Sequence, residues 1–552
     1  MKTKFLVITL LIYLPITAQT PITDGANWTV VNITADNELD YPNTIIYGPD
    51  NYLWITERKG KKVVKIDPSA SIPISKTTML DLSTVVYQDA GQDGLMGIAI
   101  HPDLYLNLNT SNNYVYIAYT YDDDLGSGVS RKLRIERYTY NSGTGTLNSG
   151  SATTIIDGLD ASNDHNSGKL QIGPDLKLYY TIGDQGANQF GNACNEIQAQ
   201  DLPTSTTDYD TYKGKILRLN LDGSIPSDNP TIAGIQSHVY SYGHRNPQGI
   251  IFGSNGTLYS SEHGPKVDDE INIIEAGKNY GWPEIAGYYD NLGYGYCNWS
   301  STPEGCTTSG FSDHNCPSGV TPITEFTSGM PLNFKEPIGT YNSTTAIEPS
   351  GDWLTWPTVG PSSINIYEAG LIPDWGTSLL IPTLKRGTIY RVKLNTAGDG
   401  LESQIYEEFH SSNDRYRDIA LDPDGITFYA ITDNSGGTSG PSGTSSVSIE
   451  NPGVVMKIQY VGPTLNSYDL SKTNEFLLVP NPTKNYTKIS FNLNTKASFG
   501  LIVSDIHGRT ITHIKEINNN YNLQTSNLSN GLYFVRLIDK NKEIATKKLV
   551  IQ

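Results

Sequence analysis

The chain has 552 residues, enough for more than one domain and for a large buried core. It is rich in glycine (52) and tyrosine (35), and only 17% of its residues are charged, a balance that suits short strands and tight turns better than long charged helices. A formal net charge of −18 argues against nucleic-acid or anionic-membrane partners.

In chain order, residues 1–18 read as an export signal: Lys2 and Lys4 precede an apolar run over 5–14, and Ala18 offers a small residue for cleavage. That run is too short to span a bilayer as a helix and no other apolar stretch is long enough, so no transmembrane segment is expected. One phrase then recurs: TIIYGPDNYLWIT from Thr44, GIAIHPD from Gly97, KLQIGPDLKLYYTIG from Lys169, GIIFGSNGTLYSSEHG from Gly249 and DIALDPDGITFYAITD from Asp418. Each is an apolar strand, a Pro-Asp, Asn-Gly or Asp-Gly turn, and a second strand. A sixth strand pair, TSLLIPTLKRGTIYRVKL from Thr377, fills the longest gap. Hairpins at long, irregular intervals predict an all-β chain, a six-bladed β-propeller over 19–462, with PGVVMKIQYV closing it. A linker over 463–474 and a small C-terminal β-sandwich over 475–552 are expected to follow. The four cysteines, Cys194, Cys297, Cys306 and Cys316, suit structural disulfides in an exported protein, with the pairing open.

Six local groups could carry chemistry. DHNSG supplies Asp164 and His165, a histidine able to take a proton near neutral pH, and Asp184 in TIGDQG is placed to orient it. Taken alone, a loop histidine is more often structural. GHRNPQG gives His244 and the fixed donors Arg245 and Asn246, suited to developing negative charge. RYRD puts Arg415 and Arg417 two residues apart, so that in a strand both guanidiniums aim one way and invite a carboxylate or phosphate. LKRG adds Lys385 and Arg386; a solvated strand face is the competing reading of both pairs. EHGPKVDDE offers a Gly-Pro turn whose carbonyls could meet Ca²⁺, a weak signal alone. GQDGLMG contributes Gln92, whose amide could bond a ligand. The GxSxG, HExxH, Walker and GxGxxG patterns are absent, which disfavours nicotinamide or flavin on a Rossmann unit.

In this order, the segments DHNSGKLQIGPDLKLYYTIGDQGANQ, YKGKILRLNLDGSIPSDNP, GHRNPQGI, EINIIEAGKNYGWPEIAGY, WPTVGPSS, IPTLKRGTIYRVKL and SSNDRYRDI resemble the soluble glucose dehydrogenases dependent on pyrroloquinoline quinone (PQQ), over about residues 25–460. The resemblance implies oxidation of an aldose at the anomeric carbon to the lactone, with His165 as base and hydride passing to PQQ. Arg245 and Asn246 then face the quinone oxygen, and Lys385, Arg415 and Arg417 grip the cofactor carboxylates. Gln92, Asp164 and Thr358 contact cofactor or sugar, and Trp356 stacks on the substrate. Ca²⁺ is held by the carbonyls of Gly264 and Pro265. Further calcium associated with a homodimer contact is implied at Glu270, Glu325 and the carbonyls of Tyr280, Ala286 and Tyr288. Electrons leave to an external acceptor. The sequence departs from the family at His263, Lys266, Phe190, Trp353 and the cysteine-bearing stretch 297–316, which puts glucose itself in doubt as the substrate. A dehydrogenase for another alcohol, a carbohydrate-binding propeller and a calcium-dependent lactonase are the alternatives.

The last segment carries PNPT from Pro480, TKISFNL, NGLYFVRL from Asn530 and a basic KKLVIQ end. It resembles the C-terminal sorting domain of the type IX secretion system, which implies that secretion machinery as a partner and a secreted or surface-attached protein. Phe476, Phe491, Phe499, Tyr533 and Phe534 suit its core.

Overall fold

The computed structural model describes residues 20–299, 306–307, 312–341, 347–440, 448–464, 476–491, 499–505, 509–517, 521–539 and 542–552. The expected export signal and most of the expected linker lie outside the described residues. Contacts divide the chain into two compact units, Met1–Pro463 and Thr464–Gln552.

Among its described residues, the first unit is built from six four-stranded antiparallel sheets. The first holds Pro42–Tyr47, Leu53–Glu57, Lys62–Ile66 and Thr77–Asp81, and the second Leu95–Ile100, Tyr114–Asp122, Arg131–Asn141 and Thr146–Asp160. The third holds Leu170–Ile172, Lys177–Ile182, Lys215–Asn220 and Val239–Tyr242, and the fourth Pro247–Phe252, Leu258–Glu262, Asp269–Ile273 and Gly339–Tyr341. The fifth contains Asn365–Tyr367, Ser378–Pro382, Thr388–Lys393 and Glu407–Ser411. In the sixth, Tyr416–Leu421, Thr427–Thr432 and Val455–Tyr460 are completed by Trp28–Asn32 from the other end of the chain. The first strands of consecutive sheets touch one another in a closed ring.

The recurring phrase fixes the hairpins. In DPDGI the Asp424 side chain accepts from the Ile426 and Thr427 amides, and Gly425 takes φ +71°, a left-handed turn that glycine adopts without strain. The strands it joins alternate toward neighbouring sheets, and their β-branched and aromatic side chains form the core. Phe428, Phe409, Ile419 and Ile458 are fully buried, and Trp375 packs against Phe409 and Phe428 at ring separations of 5.1 and 5.4 Å. Trp28 stacks on Trp375 at 5.4 Å, so the returning strand is fastened by an aromatic contact as well as its hydrogen-bond ladder.

Several first-to-second strand pairings are irregular near the start: between Pro42 and Thr44, Leu95 and Ile98, Pro247 and Gly249, and Tyr416 and Asp418. Such bulges re-aim the residues beside them. Gln92, His165, Arg245 and Arg415 all stand in the turns just before first strands, and Asp184 follows the second strand of its sheet.

In the second unit, Phe476–Val479, Tyr486–Phe491 and Tyr521–Gln524 form one sheet, and Thr510–Ile517, Phe499–Asp505, Gly531–Asp539 and Lys542–Ile551 another. Ile489, Phe499, Leu501, Tyr533, Val535 and Leu549 make its core. Phe534, expected inside, is only partly buried, because successive strand residues face opposite sides and Tyr533 takes the inner one. The side chains of Phe476 and Phe491 lie outside the described residues.

Candidate active site

A cleft of about 480 Å³ collects most of the residues singled out from sequence: Gln92, Asp164, His165, Arg245, Trp356 and Thr358 line it, as do Gly264, Pro265, Lys385 and Arg415. Asn246 and Arg417 are buried next to lining residues without lining it themselves.

His165 is 5% exposed and holds φ +47°, an uncommon backbone conformation for a histidine. The turn is fixed from outside: the Gln92 carbonyl-type Oε1 accepts from the His165 amide at 3.1 Å, and Asn166 Nδ2 donates to the Gln92 backbone carbonyl at 2.8 Å. The imidazole Nδ1 lies 2.7 Å from Asp184 Oδ1. Asp184 is itself held by the Trp282 indole N–H on Oδ2 at 2.8 Å and the Gly186 amide on Oδ1 at 2.9 Å. A carboxylate on Nδ1 keeps the proton there and leaves Nε2 with its lone pair. Gln189 Nε2 sits 3.1 Å from that Nε2, donates to Asp164 Oδ2 at 3.0 Å, and its Oε1 accepts from Arg245 at 2.9 Å. Gln189 was not singled out from sequence. Its position in a loop after the hairpin gave no local sign of what it would touch.

The Arg-Asn pair is firmly placed. Glu262 accepts from the Arg245 amide and, at 2.9 Å, from His244 Nδ1, so His244 is a structural support rather than part of the cleft. Asn246 Oδ1 accepts from Ser167 and Gln248 at 2.9 and 2.8 Å, while its Nδ2 and Arg245 Nε are buried with no protein acceptor among the described residues. Buried donors without acceptors are costly and mark a place for a ligand oxygen.

The cationic group differs from the expected strand face. Arg415 precedes the strand and lines the cleft, whereas Arg417, the residue at the bulge, donates to Asp433 at 2.8 Å; Arg415 Nε stands 3.5 Å from the same carboxylate. Asp433, not singled out from sequence, is thus an internal anion, and both arginines hold its carboxyl below the usual range despite burial. Among the described residues, Lys385 Nζ donates to neutral oxygens, the Trp356 carbonyl and Thr358 Oγ1, each at 2.7 Å. Burial pulls its ammonium down to about 8. Arg386 does not line the cleft.

Asp269, also unforeseen, ties two lining loops together. It accepts from the Gly264 amide at 2.9 Å and from the Val359 and Gly360 amides at 2.6 and 2.8 Å. A side chain at Gly264 would lie 2.0 Å from the Val267 carbonyl oxygen, so glycine is required for the close backbone approach. His263 donates through Nε2 to the Pro361 carbonyl at 2.7 Å, and burial holds its imidazole well below the usual range.

Among the described residues, no three His, Cys, Asp or Glu side chains are grouped to hold a metal. A cation beside Gly264 and Pro265 would therefore rely on carbonyl oxygens, the donor type that Ca²⁺ takes. Of the second set, Ala286 and Glu325 line one small cavity, whose lining does not include Tyr280, Tyr288 or Glu270. Glu270 already accepts from the Gly287 amide and Asn272, at 2.7 and 2.8 Å. Among the described residues, Glu325 Oε1 is buried without a hydrogen-bond donor, and burial pushes this carboxyl up to about 7.

The cysteines pair as Cys194–Cys306 and Cys297–Cys316. They staple the stretch that brings Ser312 and Asp313 to the cleft, where Phe190 and Trp353 are exposed on the wall. Asn188 Nδ2 donates to the Cys297 carbonyl at 2.5 Å, linking this stretch to the loop that carries Gln189.

The ring of sheets thus carries a polar, cation-lined cleft at its strand ends. Residues 39–313 and 327–439 match the Glucose / Sorbosone dehydrogenase family model, and the chain belongs to that family. Residues 478–552 match the Secretion system C-terminal sorting domain. The chain is 40% identical to quinoprotein glucose dehydrogenase B of Acinetobacter calcoaceticus over 444 residues, covering 77% of this chain and 90% of that one. The PQQ-bound aldose sugar dehydrogenase of Streptomyces coelicolor superposes with a TM-score of 0.52 at 24% identity, over 79% of this chain and 99% of its own. The soluble aldose sugar dehydrogenase of Escherichia coli gives 0.54 at 23%, over 78% and 99%. These two likenesses establish the propeller-like fold.

Proposed function

We propose that this chain is an exported quinoprotein that oxidises an aldose at the anomeric carbon to the lactone, using PQQ and Ca²⁺. The observation that carries the reading is the convergence on one cleft of His165, whose Nε2 lone pair is set by Asp184, and a group of cations with unfilled hydrogen-bond capacity. PQQ would be held by Lys385, Arg415 and Arg417 through its carboxylates, with Arg245 and Asn246 at its quinone oxygen and Ca²⁺ at the Gly264 and Pro265 carbonyls. When bound, PQQ supplies the acceptor for the hydride that leaves the sugar, and the cation supplies Lewis acidity beside it.

The chain's own residues handle the proton. His165 Nε2 takes the proton of the anomeric hydroxyl, and Asp184 stabilises the imidazolium that forms and keeps the ring in place. Gln189 occupies Nε2 in this structure, so the sugar hydroxyl replaces its amide there. Asp164 and Gln92 then bond the sugar, and Trp356 supplies an apolar face for its ring. The six sheets read as six blades, the second unit as a sandwich that addresses the protein to the type IX secretion machinery, and Glu325 with the Ala286 carbonyl as a second calcium position at a homodimer contact.

Equilibrium binding tests the cofactor assignment. PQQ with Ca²⁺ should bind one per chain, and Arg415→Ala should weaken it by on the order of tenfold or more. Equal binding by the variant would remove the clamp from the account.

A further inference from the structure

Lys266 follows the Gly264-Pro265 turn and lines the same cleft as His165. Its ammonium is 2.7 Å from Asp313 Oδ1 and is also bonded to Glu348, and it lies 5.1 Å from the centre of the Trp356 ring. Asp313 is fixed in turn: its Oδ2 accepts from Tyr294 at 2.9 Å, and its backbone carbonyl accepts from the Cys297 amide at 2.8 Å. The carboxylate that aims Lys266 is thus carried by the stretch stapled through Cys297–Cys316 and Cys194–Cys306. Glu348 accepts one ammonium proton and Asp313 lies at ion-pair distance, so among the described residues at least one N–H is left without an acceptor. The Trp356 indole Nε1 beside it is buried and also lacks one. A rigid cation over an aromatic face, next to a second unfilled donor, suits an uncharged polyhydroxylated ring. Such a ring offers apolar C–H faces and hydroxyl acceptors together.

We propose that Lys266 is a specificity-determining residue of the substrate cleft, donating to one hydroxyl of the sugar remote from the oxidised carbon, and that Asp313 is its positioning residue. This rests on the sugar-oxidation reading above. The disulfide-stapled stretch thereby holds the donor that selects among aldoses.

The test compares the PQQ- and Ca²⁺-loaded wild type with Lys266→Met, Lys266→Arg and Asp313→Asn against glucose and its monodeoxy derivatives. KM should rise on the order of tenfold in Lys266→Met with kcat little changed, a size expected for one charge-assisted hydrogen bond. Lys266→Arg should recover part of the loss, and Asp313→Asn should show a smaller rise. For one deoxy sugar, the derivative lacking the contacted hydroxyl, Lys266→Met should carry no penalty. An unchanged KM, or a penalty equal for every deoxy sugar, would overturn the proposal. Tryptophan-fluorescence titration with glucose, without turnover, separates the two readings. If the wild type binds sugar but does not oxidise it, only the dehydrogenase reading falls, and a tenfold weaker titration in Lys266→Met still supports the role of Lys266. If the wild type binds no sugar, the Lys266 proposal falls too.

Discussion

His165 Nδ1 and Asp184 Oδ1 lie 2.7 Å apart, with both residues almost wholly buried at the open end of one hairpin. The pair sets which imidazole nitrogen is available to the cleft. Asp184→Asn should place the amide's hydrogen-bonding groups where a carboxylate fixes the Nδ1 proton, and turnover should drop on the order of 10²- to 10⁴-fold with PQQ affinity kept. His165→Ala should match it within about tenfold, because the two act as a unit. Steady-state dye reduction beside cofactor titration measures both, and wild-type turnover in either variant removes the pair from catalysis.

Lys385 gives a pH prediction. Its ammonium is lowered to about 8 by burial, which outweighs the pull of Asp269, while Arg386 pushes the same way as burial. Below pH 8 it is charged and ready for an anion; above it, binding must first take up a proton. PQQ affinity should therefore fall by up to tenfold per pH unit above about 8, and Lys385→Met should bind more weakly with that slope removed. A wild-type affinity flat from pH 7 to 9.5 contradicts this assignment.

Asp269 accepts three backbone amides from two loops of the cleft. Asp269→Ala leaves buried N–H groups unpaired, at about 1–3 kcal/mol for each that water cannot reach. Urea denaturation should show a loss of about 3 kcal/mol or more, with Asp269→Asn losing less because it keeps one acceptor oxygen.

The returning strand Trp28–Asn32 completes the sixth sheet. Trp28→Ala removes its stacking on Trp375 and its contacts with Phe409 and Tyr460, and should cost about 3 kcal/mol. Hydrogen exchange should rise first in Val455–Tyr460, the strand it pairs with.

The hairpins are legible because each carries its own turn: the Pro-Asp and Asp-Gly phrases mark the first two strands of the sheets they belong to, and LKRG joins the pair from Ser378 to Lys393. Strand Trp28–Asn32 is not, since its partner is more than 400 residues away and no local pattern records the pairing. The same division runs through the cleft. His165 and Asp184 flank one hairpin and can be read together. Asp433 likewise faces Arg415 and Arg417 across one hairpin. Gln189, Asp269 and Asp313 act through contacts made when separate loops meet, and a lone Gln or Asp in a loop looks like any other. Strict strand alternation puts both guanidiniums of RYRD on one face, and both do meet Asp433, but only Arg415 reaches the cleft lining.

The most direct test of the central claim is dye reduction by the purified chain after addition of PQQ and Ca²⁺, across a panel of aldoses and simple alcohols. The account predicts sugar-dependent turnover that requires PQQ, is lost on chelation of calcium, and is absent with the alcohols. Stoichiometric PQQ binding with no reduction by any aldose would contradict it.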